Sequence, residues 1–284
     1  MKAHKLKTGK GIMQKIHPTS VISPDCEIGE DVEIGPYCLI QGKVKIGKGS
    51  FIEGHATIGS RHGVVILGEN NHVCPGAVIG GAPQDISYKG EATQLIIGDN
   101  NVFREFSTMN LATSKGDGKT EIGNNCYFMA YTHVGHDCKI GNNVIMANDT
   151  HLGGHCVIED GVTIGGVCAF NQFTKVGKMA FVAGSSVVNK DILPFSRAQG
   201  NYAVIRATNK IGLARKGLSR TEVMNIHKAI RILTKGSDTV EEGIARIQHE
   251  CEMNPYLQYL IDFARNSKRG LALDRSLKGL PDED

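Results

Sequence analysis

The chain has 284 residues, 40 % of them hydrophobic, with a formal net charge of +3. That charge is too slight to argue for nucleic acid, no run of 18 apolar residues marks a membrane span, and the N-terminus lacks the apolar core of a signal peptide. The expectation is a cytoplasmic protein of one or two domains. Thirty-five glycines, no tryptophan and few other aromatics suit a narrow core lined by branched aliphatics.

Residues 1–15 carry Lys2, Lys5, Lys7, Lys10 and Lys15 with few apolar partners. They read as a solvated basic tail; attraction to an acidic partner or membrane surface is the alternative. A repeat then begins. Isoleucine recurs every six positions through Ile16, Ile22, Ile28, Ile34, Ile40, Ile46, Ile52 and Ile58, and the register slips by three residues before Val73 and Ile79. Two stretches interrupt it, one between Ile79 and Ile97 and one over Leu111–Thr120, the second rich in Gly, Lys, Ser and Thr. Interruptions in a solenoid leave one face as loops, often the binding face.

From Glu121 to Pro194 the period of six is unbroken: Ile122, Phe128, Val134, Ile140, Met146, Leu152, Ile158, Ile164, Phe170, Val176, Val182, Val188. Glycine usually follows the apolar residue, and the position four after it is small. This pattern fits neither a helix nor one long strand; it is the hexapeptide repeat of a parallel β-helix. The glycines are expected to serve tight corners through positive φ. Three hexads make an 18-residue triangular coil, and residues 16–199, read as the β-helix domain, build roughly ten coils stacked at about 4.8 Å. Cys26, Cys38, Cys126, Cys138, Cys156 and Cys168 occupy the small-residue slot, so buried packing is expected for them rather than disulfides.

Past Pro194 the pattern changes to helices, giving a domain over 200–284. Ser219-Arg-Thr-Glu222 is a capping box opening a helix that ends near Gly236; Asp238–Glu252 and Pro255–Asn266 read as two more. Such a domain is expected to cover the open end of the coil stack, and the chain from Leu271 onward to be loosely held.

Residues 18 apart are neighbours on successive coils. His136, Gly154 and Gln172 therefore form one outward column, Asp137 and His155 the next, with His133 and His151 just before. A histidine beside a carboxylate is a suitable general base, and an N–H at Gly154 could receive an oxyanion. The set suits acyl transfer to a hydroxyl without a serine or cysteine nucleophile. A solvated corner histidine and a zinc site made by His133, His136 or His151 are the competing readings.

Thr132-His-Val-Gly-His-Asp-Cys138 and Leu152-Gly-Gly-His155 closely resemble the UDP-N-acetylglucosamine O-acyltransferases of lipid A synthesis. So do Ile16-His-Pro-Thr19, Pro83-Gln-Asp85, Ile164-Gly-Gly166, Asn171-Gln-Phe173, Ala198-Gln-Gly-Asn201, Gly212-Leu-Ala-Arg-Lys-Gly217 and Phe263-Ala-Arg-Asn-Ser-Lys-Arg-Gly270. The resemblance implies an all-β left-handed parallel β-helix with a small α-helical C-terminal domain, assembled as a homotrimer with sites between subunits. It implies an (R)-3-hydroxyacyl donor on the phosphopantetheine of acyl carrier protein, the 3-position of a UDP-amino sugar as acceptor, and no further cofactor or metal.

By position in that family, His136 matches the base, Asp137 its orienting partner and Gly154 the oxyanion donor. His133, His155, Gln84 and Asp85 match contacts to the sugar and reacting acyl group, and Gln172, Asn209, Arg215 and Lys216 the nucleotide side. Gly184 and the neighbouring Phe181 match the acyl-chain channel. Ser87 stands where the family usually has lysine, Asn110 and Asn171 where it has histidine, and Ile211 where it has glutamate. Those departures imply retained acyl transfer on UDP-GlcNAc or a variant acceptor, such as a 3-amino sugar, or a paralogue that binds its ligands without efficient turnover.

Overall fold

Alternation between one inward aliphatic and one outward residue produces two-residue strands, and the computed structural model winds them into a left-handed parallel β-helix. It describes residues 15–274; the tail read over 1–15 lies outside the described residues except for Lys15, as do residues 275–284. Each coil contributes a rung to three faces. The first face stacks, among others, Phe51–Ile52, His72–Val73, Val102–Phe103, Tyr127–Phe128, Ile145–Met146, Thr163–Ile164 and Phe181–Val182. On the second, Val78–Gly81, Thr108–Asn110, His133–Val134, His151–Leu152, Ala169–Phe170 and Val187–Val188 pair in succession. The third runs through Gln94–Ile97, Lys119–Ile122, Lys139–Ile140, Val157–Ile158 and Lys175–Val176. Two longer strands, Leu39–Ile46 and Thr57–Leu67, bend round the edge between the second and third faces.

The hexad residues fill the prism: Ile40, Ile58, Ile79, Met109, Val134, Leu152, Phe170 and Val188 are all within 4 % of full burial. Phe103 and Phe128 stack in parallel at 5.2 Å inside it. All eight cysteines are free, and Cys138 donates to Gly153 O at 3.2 Å, so the small slot is a packing position as expected.

Gly59 and Gly80, which follow hexad residues, take the positive φ expected, but other glycines in that position have a different cause. Gly135 and Gly153 are not at positive φ; a Cβ there would lie 2.7 Å from Leu152 O and 2.9 Å from Phe170 O of the next coil. Close coil-to-coil approach excludes a side chain. The left-handed corner position is held mostly by other residues, Tyr131, Asp137, Asp149, His155, Val167 and Phe173 among them, with φ of 59–65°. For L-residues this conformation is costly and persists because the surrounding ladder fixes it.

Both interruptions, and the three extra residues that shift the early register, leave from the edge between the second and third faces. They fall inside Thr57–Leu67, between Val78–Gly81 and Gln94–Ile97, and between Thr108–Asn110 and Lys119–Ile122.

The end of the stack is closed by an antiparallel hairpin, Ser196–Gly200 with Ala203–Thr208, which continues the first face beyond Phe181–Val182. The covering role expected of the helices falls to this hairpin. They follow as α1 (Lys210–Arg215), α2 (Arg220–Arg231), α3 (Val240–Glu250) and α4 (Pro255–Arg265). Ser219 and Glu222 form the capping box of α2, whose last turn, Ile232–Gly236, widens to π-helical spacing. Leu213, Ile226, Leu233, Ile247, Leu260 and Ile261 make a second core against Leu193 and Phe195, whereas Ala203 and Ala272 pack in the first. Leu271 and Ala272, expected to be loose, are 7 % and 1 % exposed. Backbone bonds from Ala272 N to Asp191 O and from Ile205 N to Ala272 O hold them; Ala272 packs at the prism end and Leu271 in the helical core.

Candidate active site

The corner after His133–Val134 carries His136 and Asp137, and the next coil places Gly154 and His155 directly beside them. His155 N donates to His136 O at 2.9 Å, and Phe173 N on the following coil donates to Gly154 O at 3.1 Å. The 18-residue spacing therefore assembles the expected column. Its environment differs from the solvated corner that the sequence allowed: His136 and Asp137 are 5 % and 6 % exposed. The loop between Asn110 and Lys119 folds over them, and a Cβ on Gly116 would come within 2.8 Å of Asp137 Oδ1.

Asp137 is saturated with donors. Its Oδ2 accepts from Thr113 Oγ1 at 2.7 Å and Thr113 N at 3.1 Å, and its own N–H donates to Thr120 Oγ1 at 2.8 Å. The same Oδ2 lies 2.7 Å from His136 Nδ1 and 3.6 Å from His155 Nε2. A carboxylate at Nδ1 holds the proton there and leaves the Nε2 lone pair free. The His136 ring lies against Gly154, where an added Cβ would be 2.4 Å from Cε1 and 2.6 Å from Nε2. Only glycine admits the imidazole, and among the described residues no hydrogen bond takes up the Gly154 N–H.

These groups open into a cavity of about 550 Å³ lying across the second face. Gln84, His133, His136, Gly154 and Gln172 line it, together with Thr108, Asn110, Tyr131 and His151. His133 Nδ1 is 2.7 Å from Thr108 Oγ1, and burial, then the neighbouring His151 and His136, lower its pKa to about 4. His133 is thus neutral at pH 7 when folded and binds its proton near 6.5 when unfolded. Between pH 6.5 and 4 the unfolded chain holds more protons, so stability falls with acid by up to about 3 kcal/mol. We expect the urea midpoint to drop on going from pH 7.5 to 4.5 and His133→Asn to reduce that drop; an unchanged drop would refute the assignment.

His155 lies behind Asp137 rather than in the cavity wall, stacked on Phe173 at 4.5 Å and edge-on to His136 at 5.3 Å, with burial lowering its pKa. Asp85, next in sequence to the cavity-lining Gln84, is bonded to Lys115 Nζ at 2.7 Å and to Ser87 Oγ at 2.7 Å. Those contacts hold its carboxyl well below the usual range. His133, His136 and His151 do not assemble as zinc ligands; the ligating atoms that come within 4.8 Å of one another here are those of His136, Asp137 and His155.

Of the residues expected on the nucleotide side, Gln172 lines the cavity, whereas Asn209, Arg215 and Lys216 are not brought to it within one chain. Asn209 caps α1 through Gly212 N and donates to Met179 O at 2.9 Å, so both ends of its amide are engaged. Arg215 and Lys216 are exposed at the end of α1, Lys216 near Gly161 on a different edge of the prism. Phe181 is half-buried on the first face. Gly184 lies three coils above Tyr131 at the edge between the first and second faces, where a Cβ would meet Gly166 O at 3.1 Å.

The C-terminal unit matches the family model for domain 2 of UDP-N-acetylglucosamine O-acyltransferase over residues 191–272, and 25–60 and 119–154 match the bacterial transferase hexapeptide model. An acyl-[acyl-carrier-protein]–UDP-N-acetylglucosamine O-acyltransferase of Myxococcus xanthus is 46 % identical over 259 residues, covering 91 % of this chain and 99 % of that one. One from an Anaeromyxobacter species is 40 % identical over 90 % and 98 % of the two chains. The UDP-N-acetylglucosamine acyltransferase structure from Campylobacter jejuni superposes with a TM-score of 0.85 at 38 % identity, covering 92 % and 100 %. That from Francisella novicida gives 0.87 at 32 %, covering 95 % and 100 %. The chain belongs to the UDP-N-acetylglucosamine O-acyltransferase family.

The chain thus brings together His136, Asp137 and Gly154, the residues expected to be base, orienting partner and oxyanion donor. Ser87, where the resemblance had implied a lysine, donates to Asp85, and Lys115 from the second loop supplies a cation beside that carboxylate. Asn110 lines the cavity, while Asn171 and Ile211 are exposed, Ile211 by 70 %. Sequence reasoning missed Thr113, Lys115 and Thr120. The Gly/Lys/Ser/Thr-rich composition of Leu111–Thr120 marked the loop, but no spacing rule places an irregular loop against a particular corner.

Proposed function

We propose that the chain moves an (R)-3-hydroxyacyl group from acyl carrier protein to the 3-position of UDP-GlcNAc, the first step of lipid A biosynthesis. The contact between the His136 imidazole and Gly154 carries this reading. His136 Nε2 takes the proton of the acceptor hydroxyl as its oxygen attacks the thioester carbonyl, and the Gly154 N–H meets the developing oxyanion. Collapse expels the phosphopantetheine thiolate, which takes the proton back from His136. Asp137 stabilises the imidazolium between the two transfers.

The cavity wall contains no lysine or arginine, although a nucleoside diphosphate calls for cations. Arg215 and Lys216 on a neighbouring copy supply them in a homotrimer with sites between subunits. The enzyme works in the cytoplasm, where acyl carrier protein is loaded.

One observation favours a variant acceptor. Asn110 is buried in the cavity wall, and its carboxamide oxygen has no hydrogen-bond partner. A hydroxyl nucleophile needs one acceptor, which His136 provides; an amine retains a second N–H that Asn110 Oδ1 can take. Mass spectrometry after incubation with 3-hydroxyacyl carrier protein and either UDP-GlcNAc or its 3-amino analogue tests both. An ester product supports the first acceptor, and an amide formed at least tenfold faster supports the second. No product with either, across several acyl lengths, would leave a ligand-binding paralogue.

A further inference from the structure

On the edge between the first and second faces, remote from the His136 corner, three different metal-binding side chains converge. Glu53 follows Phe51–Ile52, and one coil later His72 ends its outward side chain beside it while Cys74 takes the corner. His72 Nε2 lies 2.6 Å from Glu53 Oε1 and 3.8 Å from Cys74 Sγ, and all three donor atoms fall within 4.8 Å of one another.

We propose that Glu53, His72 and Cys74 form a zinc site that joins two successive coils. A thiolate, an imidazole and a carboxylate are the donor set that zinc shares with few other biological cations. Donors around tetrahedral zinc, with bonds of about 2.0–2.3 Å, stand roughly 3.3–3.7 Å apart. Cys74 and His72 are already near that separation, and Glu53 must retreat by less than about 1 Å, which its rotamers allow because a third of its side chain is exposed.

The scaffold orients the ligands without the ion. The His72 ring stacks on Phe51 at 5.2 Å, and the neighbouring rungs fix both backbones through Glu53 N to Val73 O and Cys74 N to Phe103 O, each 2.8 Å. On the next coil Arg104 is clasped by both carboxylate oxygens of Glu105 and by Tyr127 Oη, so its charge is neutralised locally and Glu53 leaves the cluster net anionic. Binding releases the Cys74 thiol proton to solvent and moves the His72 proton, which Nε2 shares with Glu53 in the metal-free site, to Nδ1 through solvent, so that Nε2 binds the metal. Three protein ligands leave a fourth position for water.

Full-length protein stripped with chelator and dialysed would be titrated with Zn²⁺ against a chromophoric chelator, and separately with Co²⁺. One tight equivalent per chain is expected, with a thiolate-to-cobalt charge-transfer band and a higher Tm on loading. Glu53→Gln should weaken Zn²⁺ binding about tenfold or more, and Cys74→Ser should weaken it further and abolish the band. His136→Ala should leave both intact, separating this site from the His136, Asp137 and His155 cluster. Absence of a stoichiometric equivalent would overturn the assignment. So would an affinity and band unchanged in Cys74→Ser and Glu53→Gln, with the Tm of Glu53→Gln confirming its fold.

Discussion

His136→Ala is expected to lower kcat by about 10²–10⁴-fold while KM for the sugar nucleotide changes little. No other group in the cavity wall combines a carboxylate-bound Nδ1 with a free Nε2. His133 is held neutral and bonded to Thr108, and exposed His151 contacts Tyr131 O. The fold should survive, because Asp137 keeps its bonds from Thr113 when the imidazole is removed. Steady-state kinetics with a thermal melt decide the matter. Turnover within a few-fold of wild type would remove His136 from proton transfer.

Gly154→Ala is the second large effect, acting by displacement. The new methyl would stand 2.4–2.9 Å from three atoms of the imidazole, well inside contact distance. The ring cannot simply swing away, since Asp137 pins Nδ1 and Thr113 and Thr120 pin Asp137. A misplacement of about 1 Å costs on the order of 10²-fold in rate, and a loss of about that size in kcat is expected. Gly154 has an ordinary φ, so alanine adds no backbone strain and the variant should fold. The double variant Gly154→Ala/His136→Ala should be no slower than His136→Ala alone, because both remove the same imidazole. Fully multiplicative losses would show that Gly154 acts independently of that ring.

The repeat made most of this architecture legible. A period of six with an inward aliphatic at each hit fixed the coil length, and coil length alone put His136 beside Gly154 and Asp137 beside His155. The same arithmetic said nothing about what covers that corner. Thr113, Lys115 and Gly116 come from a stretch without periodicity, and their contact with Asp137 and Asp85 depends on tertiary packing. The cause expected of the glycines holds for some, such as Gly59 and Gly80 at positive φ; Gly135 and Gly153 answer instead to the carbonyls of the next coil, while Asp137 and His155 themselves take left-handed corners. Helix α1, six residues long, and the hairpin over 196–208 are too short to show a helical or alternating pattern of their own. The Glu53, His72 and Cys74 grouping escaped for a related reason, because the three-residue slip after Ile58 moves those residues off the 18-residue spacing.

A crystal structure of the wild-type enzyme with its acylated UDP-sugar product tests the central claim most directly. The newly acylated atom of the sugar should lie about 3 Å from His136 Nε2, with the acyl carbonyl oxygen about 3 Å from Gly154 N. Product seated on another face, or with its carbonyl turned away from Gly154 and its sugar out of reach of His136, would contradict the account.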